Sequence, residues 1–374
     1  MKKSRLLFLA IFTSLWVVTM LIKFAAAETA DSSSAIDGDG KNEDKTSFMG
    51  MPFVFYSPET RFGAGVMSNY VKNGELEISK PSSLLGVLMY TQENQVISAL
   101  KSEYYSADNN YHLTANLSYL KFPTKYWGIG TNTINDAEEE YTPEQAALDL
   151  GLKYQFIPRV YAGVTYYYEH LAMIETADDG QLANDDIIGS NGGSVSMIGG
   201  IISFDSRDNI FWPTRGQLHQ ITYGVSDEGL GSDYNYNRLT ADFRNYFSLA
   251  ENQVLATQVY FDRVNGDPPF HLLPGLGGDI IMRGYYLSRY IDKNMYAVQA
   301  EYRRPLWWKL GMAAFAGLGD VAARIDEFQA KEIKYTFGMG LRYMINEADK
   351  LNVRFDYGIG ENTTGFYISF AEAF

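Results

Sequence analysis

Apolar and polar side chains alternate along most of this chain. In the run 335–345, Tyr335, Phe337, Met339, Leu341, Tyr343 and Ile345 share one side, while Thr336, Gly338, Gly340, Arg342 and Met344 share the other. In 351–358, Leu351, Val353, Phe355 and Tyr357 alternate with Asn352, Arg354, Asp356 and Gly358. Successive side chains of a strand point to opposite faces, so each run is a strand with one apolar and one polar surface. The same pattern predicts about sixteen strands, at 50–57, 61–72, 82–92, 95–106, 111–122, 146–157, 160–173, 195–206, 217–226, 234–249, 253–264, 294–306, 310–320, 334–346, 351–359 and 364–374.

Alternation alone also describes a soluble antiparallel sandwich. Here the apolar faces are dense in aromatics, and the opposite faces carry charge together with glycine. That division matches lipid outside and a wet, crowded lumen inside. A closed barrel also leaves no strand edge, as lipid demands. The expected fold is therefore all-β, a transmembrane antiparallel barrel of outer-membrane type over 48–374, where no composition break marks a second domain. Connection lengths agree. If the chain starts in the periplasm, the outer connections include the long 131–142, 175–193, 227–233 and 265–293, and the inner ones the short 158–159, 251–252, 307–308 and 347–350. The short outer turn 57–60 and the long inner one 72–81 depart from this rule. The final run places Phe366, Ile368, Phe370, Glu372 and Phe374 on one face, and a terminal aromatic such as Phe374 is a typical ending for bacterial outer-membrane barrels.

The N-terminus has the form of a cleaved secretory signal over 1–27: a basic head at Lys2, Lys3 and Arg5, an apolar run from Leu6 to Leu21, and small residues at Ala25, Ala26 and Ala27. Residues 28–47 are polar, small and acidic, which predicts a disordered periplasmic spacer. An exported chain could use disulfides, but this one has no cysteine. Its net charge of −14 argues against a nucleic-acid partner, because phosphate binding needs a basic face. Much of that charge falls in the outer loops, at 136–140, Asp178, Asp179, Asp185 and Asp186, which predicts a solvated surface beside outer-membrane lipid and lipopolysaccharide.

No catalytic or metal motif emerges. His112, His170, His219 and His271 lack metal-ligand spacing, and there is no G-x-S-x-G elbow, so neither an enzyme nor a cofactor is expected. The informative residue is instead Arg283, on a glycine- and proline-rich connection, 268–289, between two strands. Glu301 lies on the next strand and Asp320 ends the one after. Alternation groups Glu301 with Met295, Ala297, Gln299 and Arg303, against Tyr296, Val298, Ala300 and Tyr302, so Glu301 faces the lumen. Asp242, Arg244, Arg303, Arg342, Arg354 and Asp356 share such faces and predict a ladder of charges across neighbouring strands.

These residues resemble the barrel of the BamA/TamA superfamily, the bacterial surface antigen family. The segment from Asp205 through Arg207, Asp208 and Asn209 to Pro213 and Gly216 is similar to its D-x-R-D-N...P-x-x-G turn, and Met282-Arg283-Gly284-Tyr285 to the motif of its inward-folded loop. Glu301-Tyr302-Arg303-Arg304-Pro305, Gly317 to Asp320, Gly340 to Arg342 and Arg354 to Gly358 follow in the family's order. The resemblance implies a loop locked in the lumen by Arg283, Gly284 and Tyr285, with Glu301 and Asp320 as its acidic wall partners. It also implies assembly or translocation of proteins or lipids at the Gram-negative outer membrane, with client outer-membrane proteins or a separate periplasmic partner. The 20 residues of 28–47 are too few for even one of the periplasmic POTRA domains that such relatives carry, so the resemblance covers the barrel. A passive porin-like channel and a structural or adhesive surface barrel are the alternatives. An insertion role predicts weak closure between the first and last strands, where Pro52 cannot donate to a ladder and Gly365 interrupts the last run.

Overall fold

Sixteen antiparallel strands form the wall: β1 (Thr46–Ser57), β2 (Arg61–Lys72), β3 (Ser82–Thr91), β4 (Val96–Tyr105), β5 (Tyr111–Lys121), β6 (Glu139–Ile157), β7 (Val160–Thr176), β8 (Gly192–Asp205), β9 (Gly216–Ser226), β10 (Tyr236–Ala250), β11 (Gln253–Gly266), β12 (Asn294–Trp307), β13 (Leu310–Ala322), β14 (Lys334–Asn346), β15 (Leu351–Gly360) and β16 (Thr363–Phe370). Each pairs with the next, and β1 meets β16 to close the barrel. The computed structural model describes residues 46–72, 79–183, 186–209, 212–346 and 351–374. The expected signal sequence 1–27 lies outside these residues, as does the expected spacer 28–47 except for Thr46 and Ser47, which belong to β1. Among the described residues there are strands and short 3-10 turns but no α-helix.

The strands fall where alternation placed them, with two instructive differences. β6 begins at Glu139 rather than 146, because a short ribbon, Thr124–Tyr126, pairs with Glu139–Tyr141 and prolongs the wall above β5. The last strand stops at Phe370, and Ala371 takes a left-handed φ of 58°. That reversal turns the tail inwards.

The outer surface carries the aromatic and aliphatic side chains. Along β14, Phe337, Met339 and Leu341 are exposed while their neighbours Thr336 and Arg342 are buried. So large an apolar band would be out of place in water and suits acyl chains. Trp307 and Trp308, at the short turn between β12 and β13, stand at the edge of the band as interfacial anchors.

The seam is the weak point of the wall. β1 pairs with β2 at all twelve of its residues, whereas it meets β16 at a single position, Tyr56 opposite Ile368. In that register the residues of β1 before Val54 would need partners beyond Phe370, where the chain has already turned into the lumen. Among the described residues, no second β1–β16 pair is formed below that position.

Met339 sits mid-strand on the lipid-facing side of β14, so Met339→Lys should destabilise the barrel by about 2–4 kcal/mol. Urea titration in lipid vesicles reads this, and an unchanged midpoint would place that face away from lipid.

Candidate functional site: the luminal loop and its charged cradle

The connection between β11 and β12, residues 267–293, folds into the lumen rather than out over the rim. Its turn is unusual: Met282 adopts a left-handed φ of 56° while fully buried, and Gly284 has a φ of 119°. A buried non-glycine residue in that region stores strain that its surroundings must hold in place. The Met282 amide donates to Gln299 Oε1 (3.2 Å), and Gln299 in turn donates to the Ile280 carbonyl (3.0 Å) and to Gln258 Oε1 (2.7 Å).

This turn presents Arg283 to the wall. Arg283 Nη2 lies 2.5 Å from Glu301 Oε2 on β12, and Nη1 lies 2.6 Å from Asp356 Oδ2 on β15. Its guanidinium stacks 3.6 Å above the Phe315 ring, and Nε has no hydrogen-bond partner. The two carboxylates are shared. Glu301 Oε1 accepts from Arg303 Nε at 2.6 Å and lies 3.4 Å from Arg342 Nη2. Asp356 accepts from Arg342 Nη1 at 2.5 Å and Arg354 Nη1 at 3.0 Å. Glu372, on the inturned tail, meets Arg342 Nε at 2.9 Å and Arg303 Nε at 3.4 Å. Arg354 reaches back to the loop at Asp279, 2.7 Å away. Four guanidiniums thus face four carboxylates, the arrangement needed to keep such groups ionised away from water.

Backbone contacts complete the seat. An added Cβ on Gly284 would come within 3.0 Å of the backbone of Gly358, Ile359 and Gly360, and one on Gly358 would meet the Arg283 carbonyl at 2.5 Å. Two bare backbones pack against each other there, which only glycine allows on both sides. The Tyr367 hydroxyl on β16 accepts from the Gly284 amide and donates to the Tyr285 carbonyl, both at 3.0 Å. Tyr285 donates from its hydroxyl to the Tyr335 carbonyl (2.9 Å). Further along, the Leu287 amide donates to Glu59 Oε1 (2.7 Å) in the turn between β1 and β2. Burial pushes the Glu59 carboxyl above its usual range, against the hydrogen bonds from Ser57 and Leu287 that pull it down. At the other end of the loop, His271 Nε2 donates to Glu169 Oε1 on β7 (2.5 Å).

Of the residues singled out in the sequence, Arg283 and Glu301 come together. Asp320 does not join them. It accepts from Thr131 Oγ1 (2.5 Å) and from the Val321 amide (2.8 Å). Asp320 pairs with Tyr296 on β12, five residues up the strand from Glu301, or about 17 Å at strand spacing. Asp356 takes the place expected for Asp320, and sequence reasoning had placed it in the luminal ladder without naming it as a partner.

Phe374 also differs from expectation. It is 3% exposed and packs inside against Tyr246, Val254 and Ala256, with its main-chain oxygen accepting from Arg303 Nη2 (2.7 Å). Period-two alternation stops applying at Ala371, where φ reverses.

The described residues between β8 and β9 hold the motif of 205–216 through local contacts. Arg207 clamps Asp205 with two side-chain bonds of 3.0 Å, Asp208 accepts from the Thr214 amide (2.8 Å), Pro213 is buried, and Gly216 holds a φ of 102°.

The model of the Omp85 superfamily domain matches residues 68–374. The chain belongs to the Omp85 superfamily. Its barrel is accordingly an outer-membrane one. Among solved structures, it is similar to BamA from Haemophilus ducreyi lacking POTRA domains 1–3, with a TM-score of 0.61 at 14% identity over 94% of this chain and 78% of that one. It is also similar to CdiB from Acinetobacter baumannii, with a TM-score of 0.56 at 13% identity over 87% of this chain and 60% of that one. At such identities the likeness is one of fold. No curated protein matches the chain.

Glu301→Gln would leave three guanidiniums facing a neutral amide and should cost about 3–5 kcal/mol. The expected readout is a smaller heat-dependent mobility shift on cold SDS gels, and an unchanged shift would show that the pair adds nothing to barrel stability. Gly358→Val should drive the loop off β15, so that limited proteolysis newly cuts within 277–289. Wild-type resistance there would mean that the glycine contact is dispensable.

Proposed function

We propose that this barrel assists the assembly or translocation of client outer-membrane proteins, with its seam as the working element and the loop bearing Arg283 as a lock. The observation that carries this reading is the single paired position between β1 and β16. A strand edge with a single ladder position presents backbone donors and acceptors to an extended segment, and adding a strand there needs no sequence match. In a lipid-embedded wall such an edge is costly unless transiently filled.

The position of the loop supports the same reading. It touches β16 through Tyr367 and Thr363, and the turn beyond β1 through Glu59. A loop seated this way ties the two sides of the seam together without adding to their ladder. Release of the Arg283 contacts would free the two strands to part. Clients, with outer-membrane lipid and lipopolysaccharide around them, are the partners this implies, and we infer export through the signal at 1–27. A porin-like role draws less support, because the loop reaches through the lumen from Glu301 on β12 to Glu169 on β7.

Cysteines at Tyr56 and Ile368 test the proposal, since residues opposed across an antiparallel pair lie within disulfide range. In proteoliposomes offered a urea-unfolded outer-membrane barrel, the oxidised Tyr56→Cys/Ile368→Cys variant should fold the client no faster than protein-free liposomes, and reduction should restore the rate. Equal rates in the oxidised and reduced forms would remove the seam from the mechanism.

A further inference from the structure

The loop does not fill the lumen. Beside β3–β9 lies a cavity of about 480 Å³. Strand register explains its lining. Tyr105, His112 and Lys153 stand side by side on one rung of β4, β5 and β6, and Lys101, Asn116 and Asp149 stand on another. Asp205 and Arg207, from the turn that opens on β9, close its lower edge.

The charges here do not balance as they do around Arg283. Lys80, Lys101, Lys153 and Arg207 face three carboxylates, Glu103, Asp149 and Asp205. Lys101 pairs with Glu103 (3.3 Å), and Arg207 is held by Asp205 (3.0 Å). Lys80 and Lys153 form no direct salt bridge among the described residues. The Lys80 ammonium lies over the faces of Tyr105 (5.3 Å) and Tyr161 (5.7 Å), a placement that keeps it aimed across the cavity. Lys153 feels Glu103 and Asp205 as well as Lys80, and Lys80 feels Asp205, all at longer range than a salt bridge. In a chain of net charge −14, a luminal recess with one cation more than it has carboxylates is the reverse of the average surface.

We propose that this recess binds a phosphate-bearing anion, held between the ammonium groups of Lys80 and Lys153. Lysine serves such ligands as a strongly hydrated point charge with three rotatable donors, and Tyr161 and Ser203 supply neutral donors beside it. The volume accommodates a phosphate ester such as a phospholipid headgroup, and it leaves no space for a folded client. The inference stands apart from the seam and from the lock, since none of its residues touches either.

The test titrates the full-length purified protein, in a nonionic detergent at low salt, with inorganic phosphate and with glycerol 3-phosphate by isothermal calorimetry. Both should bind saturably, and Lys80→Gln/Lys153→Gln should weaken each by about tenfold or more. Lys331→Gln, on an exposed outer loop, should leave binding unchanged. Tighter binding of glycerol 3-phosphate, together with competition by phosphatidylglycerol but not phosphatidylcholine nanodiscs, would identify a lipid headgroup. Equal binding of the two probes without lipid competition would identify a free phosphate. Absence of saturable binding, or a double variant that binds like wild type, overturns the proposal. If the double variant loses its heat-dependent gel shift, Lys153→Gln alone provides the comparison.

Discussion

The organisation of this barrel depends on one constraint: a guanidinium taken out of water must find carboxylates, and the carboxylates must already be in place. Arg283 finds two, Glu301 and Asp356, contributed by strands that are not neighbours. Each is also bound by wall arginines, so neither rotates freely to follow the loop. The loop must therefore come to the wall, and its backbone must approach within contact of β15. The glycines at 284 and 358 allow that approach, and the strained Met282 is held by it. Phe315 lies under the guanidinium and gives it an apolar floor without competing for its donors.

The same constraint reaches the seam. Glu372 belongs to the tail that follows β16, and its pairing with Arg342 and Arg303 holds that tail in the lumen. Residues held there cannot extend the ladder beside β1. The charged network and the weak closure are thus two outcomes of one choice made at Ala371, where the chain turns in rather than on. The loop bridges what the tail leaves open, because its hydrogen bonds land on Tyr367 of β16 and on Glu59 next to β1.

The wall was legible in the sequence because a strand's two faces see different solvents, and that difference is written at every second residue. Glu301 was legible for the same reason. The choice between Asp356 and Asp320 was not, since alternation says which side of the wall a residue occupies and nothing about its height relative to a loop. The luminal position of Asp356 was visible, and only the register among β12, β13 and β15 shows that it stands level with Arg283. Phe374 was misplaced by carrying a period across a residue with positive φ, which no alternation pattern reveals. The early start of β6 escaped notice because its upper part pairs with a three-residue ribbon above the band. There both faces are polar, and the two-sided signal fades.

The distribution of charge between loop and wall bears on whether the loop can move. The loop brings one cation and one anion to the network, Arg283 and Asp279. The wall and tail bring Arg303, Arg342 and Arg354 against Glu301, Asp356 and Glu372. Counted by side chains alone, each set is neutral. Withdrawal of the loop would therefore leave no net charge stranded in the lumen, and the wall arginines would still hold Glu301 and Asp356. The cost of leaving falls on geometry, in two well-aligned ion pairs and a backbone contact, and so it is specific to this one seat. A loop held by an unbalanced charge would be fixed for good. One held by directional contacts between two neutral sets of side chains can be both firmly placed and released.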